Sequence, residues 1–283
     1  MIIAVSDTHL GYDQSDSTKF LKFIDSELMN LSKEDNLVLL GDILEFWRGK
    51  NIDAIFSFLN SNKDDNEINK EQIEINEQIF SKIMELNKKT QVHYIIGNHD
   101  YTVINFLNYY NKNFQDNKYP VKISKACRLE EENLKIFFMH GYEFEVISSF
   151  EPLTIEDYEK ICIILCDRTG KLVGKKLSYL WDLFNNRLNV RRRSLFKINS
   201  ITKPPEERGK NIDNIKNMVE SSAFRQLFFG IRDDELLAFG HTHRPFINLE
   251  KNVVNTGSWL KYARENCSYL KIKNEKIELL FYK

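Results

Sequence analysis

Carboxylates, imidazoles and one carboxamide recur in this chain directly after short apolar runs. Asp7 and His9 follow the run that starts at Ile2. Asp42 and Glu45 follow Leu37–Leu40, and Asn98, His99 and Asp100 follow Val92–Ile96. His140 comes after Leu134–Met139, and His241 and His243 after Glu235–Phe239. Five of the six histidines therefore stand where a predicted strand ends. A lone histidine is more often a hydrogen-bonded structural group than a ligand, but five placed alike reverse that expectation. His93 is the exception: it lies inside a run with no carboxylate beside it, and we assign it a structural role. Imidazole, carboxylate and amide oxygen together suit borderline divalent ions such as Mn, Fe or Zn, whereas thiolates would have pointed to structural zinc. Two such ions about 3.5–4 Å apart repel, so a paired site needs at least one bridging carboxylate.

The elements that must position these groups alternate along the chain. A helical pattern in Phe20, Phe23, Ile24, Leu28 and Leu31 separates the first two runs. A charged stretch over 61–78, read as a loop leading into an exposed helix that ends near Lys89, precedes the third. Short strands are predicted near 252–255, 268–272 and 276–281. Strand, loop with chemistry, then helix, repeated, is an α/β architecture, in which ligands gather at the carboxyl ends of strands. The interval 149–225 differs in character. It holds helical stretches at Tyr158–Cys166 and Leu177–Leu188, and from Arg168 to Lys216 thirteen Lys/Arg stand against four Asp/Glu. It reads as a helical cap inserted between two parts of one catalytic core, 1–148 and 226–283.

Bulk properties narrow the class. At 283 residues and 42% hydrophobic content the chain can bury a large core. A net charge of −1 gives no whole-molecule attraction to nucleic acid or membrane. Four cysteines without C-x-x-C spacing suggest neither a disulfide framework nor a zinc ribbon, and Cys162 and Cys166 read as small buried residues. Without a signal peptide or a run of about 20 apolar residues, the expected location is cytoplasmic.

The motifs Asp7-x-His9, Gly41-Asp42-x-x-Glu45, Gly97-Asn98-His99-Asp100, His140-Gly141 and Gly240-His241-x-His243 resemble, in order, the five signature blocks of the calcineurin-like metallophosphoesterase superfamily. That resemblance implies an α/β fold with two mixed β-sheets sandwiched and flanked by helices. It implies two divalent metal ions, Mn first, with Fe, Zn or Ni as alternatives. Asp7, His9, Asp42 and His243 would hold one ion; Asp42, Asn98, His140 and His241 would hold the other, with Asp42 shared. His99 would face the leaving group and Asp100 would orient it. Glu45 stands where the family usually has Asp, and would support the ligands from behind. The chemistry implied is in-line attack on a phosphodiester or pyrophosphate bond by a metal-bridging hydroxide.

Within the superfamily the blocks around Asp7, Asp42 and His241 are most similar to the UDP-2,3-diacylglucosamine diphosphatase group, which carries a helical insertion after the H-G block. Many members of that group have Arg where this chain has His99. The implied substrate is a phosphorylated small molecule or a nucleotide-linked one, such as a nucleotide-sugar or nucleotide-lipid. Arg191, Arg192 and Arg193 are candidate clamps for a second phosphate, since guanidinium pairs bidentately with phosphoryl oxygens. Leu180, Trp181, Leu183 and Phe184 are candidates for an apolar wall. A nuclease or cyclic-nucleotide phosphodiesterase is the alternative, with the basic interval tracking a nucleic-acid backbone. A catalytically silent scaffold is a third reading, disfavoured because a scaffold needs no His99. Peripheral membrane contact of the cap and the oligomeric state stay open.

Overall fold

Continuous apolar runs such as Ile2–Val5 and Leu37–Leu40 have no polar face, so strands built from them must be covered on both sides. The computed structural model describes residues 1–47, 70–104, 121–150, 152–166, 212–263 and 265–283. In it, these runs form the middle of two mixed sheets packed face to face. The first sheet has the order β11-β10-β1-β2-β3-β4. It comprises β1 (Ile2–Val5), β2 (Asn36–Leu40), β3 (Gln91–Ile95), β4 (Lys122–Ser124), β10 (Ser268–Lys273) and β11 (Lys276–Phe281). The second has the order β5-β6-β7-β9-β8. Its strands are β5 (Ala126–Glu131), β6 (Leu134–Met139), β7 (Glu235–Phe239), β8 (Phe246–Asn248) and β9 (Val253–Asn255).

Side chains alternate across each strand, and the alternation sorts the core into layers. Ile2, Ala4, Val38, Leu40 and Ile95 meet Ile136, Phe138, Leu236, Ala238 and Val254 between the sheets. The intervening residues Ile3, Val5, Leu37, Leu39, Val92 and Tyr94 face helices α1 (Ser17–Phe23) and α2 (Lys70–Leu86) through Phe20, Phe23, Ile79 and Ile83. Burying a Leu, Ile or Phe fully is worth about 1.5–3 kcal/mol, so these layers dominate stability. The helix expected to be exposed is thus amphipathic, with Ile79, Ile83 and Leu86 buried. On the outer face of the second sheet, Phe137, Leu237 and Phe239 pack against Phe144 of α3 (Tyr142–Ser149).

Two helices inside the expected cap interval contribute to these same layers. From α4 (Ile155–Cys166), Tyr158, Cys162 and Leu165 join the first helix layer; from α5 (Ile212–Glu220), Ile215 and Val219 join Phe144 and Phe239. Helix α6 (Ser222–Phe229) follows, closed by Gly230 in the left-handed region. The stretch 177–188 with Leu180, Trp181, Leu183 and Phe184, and Arg191, Arg192 and Arg193, lie outside the described residues. No helix among the described residues is long and apolar enough to cross a membrane.

His93 shows what a histidine does in this fold away from the strand ends. It is buried on β3, with Nε2 3.0 Å from Asn36 Oδ1 on β2 and Lys122 opposite it on β4. Burial, then the Lys122 charge, pushes its pKa down from the ordinary 6.5 to about 4. A folded-state value below the unfolded one leaves this stability intact above about pH 6.5. It is lost as pH falls through 6.5 toward about 4. His93→Gln should therefore flatten the acid limb of a stability-versus-pH curve by roughly 1–2 kcal/mol, after discounting for solvent screening. Identical acid limbs in variant and wild type would contradict this reading of His93.

Candidate metal centre

Parallel pairing brings the chemical loops together. The register Val5↔Leu39 and Leu40↔Ile95 aligns the carboxyl ends of β1, β2 and β3, so Asp7, Asp42 and Asn98 leave one edge of the first sheet. In the second sheet Phe138↔Ala238 aligns β6 with β7, so His140 and His241 leave the matching edge. Hydrogen bonds then carry the ladder past the strands: Asp7 N–H donates to Gly41 O (3.0 Å), His9 N–H to Asp42 O (2.9 Å) and Gly240 N–H to His140 O (3.0 Å). The two sheets are joined at this edge by His241 N–H donating to Asp7 Oδ2 (2.9 Å) and by the Ser6 and Thr256 hydroxyls at 2.6 Å.

The backbone is strained where the candidate ligands sit. Asp7, His9, Asp42, His241 and His243 all have positive φ, between +46° and +64°, a region that side chains with a Cβ rarely adopt. Such strain persists where surrounding structure fixes it, and clusters at functional sites. Two glycines permit the crowding. A Cβ at Gly97 would collide with the Asp42 carboxylate, and one at Gly41, itself at φ +78°, would collide with the His140 ring.

Every residue expected to bind metal is buried. Among the described residues, Asp7, His9 and His243 form one group whose ligand atoms lie within 4.8 Å of one another; Asp42, His140 and His241 form a second, and His9, Glu45 and His99 a third at the rim. Asp42 lies between the groups, its Oδ2 3.2 Å from His140 Nε2 and 3.9 Å from His9 Nε2. His243 Nε2 is 3.0 Å from Asp7 Oδ1 and 3.2 Å from His9 Nε2.

The carboxylates are held ionised. Burial alone would raise Asp7, but His243 and then His140 bring it down to about 2. Burial likewise opposes Asp42, and the His140 and His99 imidazoles hold it well below the usual range. Burial would lower His140, yet Asp42 and Asp7 drive it up to about 10. The field that draws protons to these imidazoles is the field that attracts a cation.

The residues fit a metal pair. Asn98 Oδ1 is buried without a hydrogen-bond partner, whereas Asp7 Oδ1 and His140 Nε2 meet only other candidate ligands, His243 and Asp42. An orphaned buried polar atom costs about 1–3 kcal/mol, and a coordinated cation removes that cost. Two of the histidines are held from behind through their other ring nitrogen, as ligand histidines commonly are. His9 Nδ1 lies 2.9 Å from Glu45 Oε2, and His140 Nδ1 is 3.0 Å from Leu40 O.

His99 lies at the rim, partly buried. Its Nδ1 is 2.8 Å from Glu45 Oε1, its ring stacks on Trp47 at 4.1 Å, and its N–H donates to Asp42 Oδ1 (2.8 Å). Glu45 thus serves His9 and His99 at once, and also accepts from Trp47 N–H (3.0 Å). Burial works against its ionisation, but His99 and His9 hold it far below the ordinary range. Asp100, expected to orient His99, has another task. Its carboxylate accepts from Tyr94 O–H (2.6 Å), Gly97 N–H (2.7 Å) and Ile43 N–H (2.8 Å), tying the loop after β3 to the loop after β2. Burial and the neighbouring Asp42 raise its pKa to about 6.

Three residues escaped the sequence reading. Trp47 supplies the platform for His99. Buried Asn255 donates to Gly240 O (2.6 Å) and so shapes the turn carrying His241 and His243. Glu145 Oε2 lies 2.8 Å from His241 Nε2. A carboxylate five residues beyond His140 belongs to no motif, and only the turn into α3 brings it back.

Buried carboxylates and imidazoles at the aligned edges of two mixed sheets define the class, a metal-dependent hydrolase on an α/β sandwich. The family model for calcineurin-like phosphoesterases matches residues 1–245, and the chain belongs to that family. It is a metal-dependent phosphoester hydrolase. It is 22% identical over 259 residues to a UDP-2,3-diacylglucosamine hydrolase of Shewanella oneidensis, covering 90% of this chain and 88% of the relative. It is 23% identical over 281 residues to the hydrolase of that name from Shewanella halifaxensis, covering 98% and 95%. A solved structure from Streptococcus pneumoniae TIGR4, titled a conserved uncharacterized protein and predicted phosphoesterase, aligns at 15% identity and a TM-score of 0.34 over 98% of this chain and 86% of that one.

Proposed function

We propose that this chain hydrolyses a phosphodiester or pyrophosphate bond of a nucleotide-linked substrate, using two divalent ions, Mn first. The observation that carries the reading is the pair of buried ligand groups meeting at Asp42, with His99 beside them on Glu45. Asp7, His9, Asp42 and His243 hold one ion; Asp42, Asn98, His140 and His241 hold the other. When bound, the ions lower the pKa of water and draw charge from the phosphoryl oxygens. Glu45 fixes His99 through Nδ1, Trp47 fixes its plane, and Nε2 delivers a proton to the departing oxygen. The part of the interval 149–225 that lies between α4 and α5 caps the site, with Arg191, Arg192 and Arg193 receiving a second phosphate.

The named relatives support a nucleotide-sugar substrate, since they match over about nine-tenths of both chains. The nuclease reading rests on the basic interval, most of which lies outside the described residues. The test is a panel of nucleotide sugars, CDP-alcohols, cyclic nucleotides and single-stranded DNA, offered to purified protein with Mn²⁺. Hydrolysis of bis-p-nitrophenyl phosphate serves as the reference. Chelation should remove all activity and Mn²⁺ restore it, with nucleotide sugars turned over best. Chelator-resistant turnover would end the metal reading, and cleavage of DNA alone would transfer the assignment to a nuclease.

A further inference from the structure

The proposed ligand histidines are steadied by different groups. His9 is held by Glu45, which sits in its own signature block, and His140 by the Leu40 carbonyl of the adjacent strand. His241 is held by Glu145, which comes from another part of the fold. Helix α3 begins directly after His140, through Gly141 at φ +107°, and its first turn returns Glu145 to the pocket. Glu145 is only 5% exposed and its Oε2 is 2.8 Å from His241 Nε2. The segment that supplies one imidazole of the second group therefore also supplies the carboxylate that grips the other. A carboxylate on one ring nitrogen fixes the tautomer and the plane of the ring and makes the other nitrogen a better donor.

We infer that Glu145 is the positioning residue of the second ion, setting its affinity by holding His241 with Nδ1 as the metal-facing nitrogen. This rests on the two-ion reading above. In this role Glu145 acts through His241 rather than on the substrate. Its partner in the opposite half is Glu45, so each half of the centre has its own buried glutamate, and the two can be separated by mutation.

The experiment loads full-length wild type, Glu145→Ala and Glu145→Gln with Mn²⁺. It reads bound metal by mass spectrometry after dialysis and spin coupling by electron paramagnetic resonance. Wild type should hold two Mn²⁺ with a coupled signal. Glu145→Ala should keep one and bind the second about 10–100-fold more weakly, the coupled signal giving way to that of isolated Mn²⁺. Glu145→Gln, whose amide oxygen accepts the same hydrogen bond and whose volume is unchanged, should recover most of the coupling. Wild-type affinity in Glu145→Ala overturns the inference. So does a Gln variant that folds as wild type but is no better than Ala. Fewer than two Mn²⁺ in wild type overturns the two-ion reading itself, whatever the variants do.

Discussion

Replacing Asp42 by Asn should lower kcat/KM for bis-p-nitrophenyl phosphate at least about a thousand-fold and reduce bound metal from two ions to one or none. The substitution is chosen because the amide oxygen can still accept from His99 N–H, a bond of 2.8 Å, so the loop after β3 keeps its anchor. What is lost is the charge. Asp42 is the carboxylate that both ligand groups approach, with His140 at 3.2 Å and His9 at 3.9 Å from Oδ2. Two cations held side by side without a shared anion repel, and a neutral amide offsets little of that repulsion. Metal content and turnover must fall together. An Asp42→Asn variant holding two ions at wild-type affinity would show that the bridge lies elsewhere.

His99→Ala should separate what Asp42→Asn couples. Turnover should drop about 10²–10⁴-fold, the range for loss of a general acid, while two ions stay bound. His99 belongs to neither the Asp7–His9–His243 nor the Asp42–His140–His241 group but to a third with His9 and Glu45, where Glu45 takes its Nδ1 and Trp47 stacks on its ring. The loss should be largest for substrates with a poorly stabilised leaving group and small for p-nitrophenolate, which departs without a proton. An equal loss on both kinds of substrate would argue that His99 shapes the pocket rather than donating. Loss of an ion would make it a ligand.

Much of this was legible before any coordinates. Strand runs such as Ile2–Val5 and Leu37–Leu40 are apolar on both faces, so their burial follows from the run itself. The clustering of imidazoles and carboxylates at strand ends was legible from residue type, and the resemblance to the family's signature blocks supplied the expected ligand set. Less legible were elements whose residues carry no period. β5 (Ala126–Glu131) alternates with charged residues and gives no apolar run, and β8 has three residues. Helix α3 was hidden because Tyr142–Val146 is buried on all sides and so has no polar stripe.

Within the site, partner choice was the part the sequence could not carry. Asp100 is next to His99 in the chain, and proximity suggested that it orients the ring. In the fold, backbone N–H groups of two loops and Tyr94 claim its carboxylate, and Glu45, far away in sequence, takes the imidazole. Hydrogen-bond competition in a buried pocket is decided by direction, which spacing does not encode. Glu145 was invisible for the same reason.

A crystal soaked in Mn²⁺ and measured at the manganese edge tests the central claim most directly. Two anomalous peaks should appear, one ligated by Asp7, His9 and His243, the other by Asn98, His140 and His241, with Asp42 touching both. A single peak at saturating Mn²⁺, or peaks away from these side chains, would contradict the account.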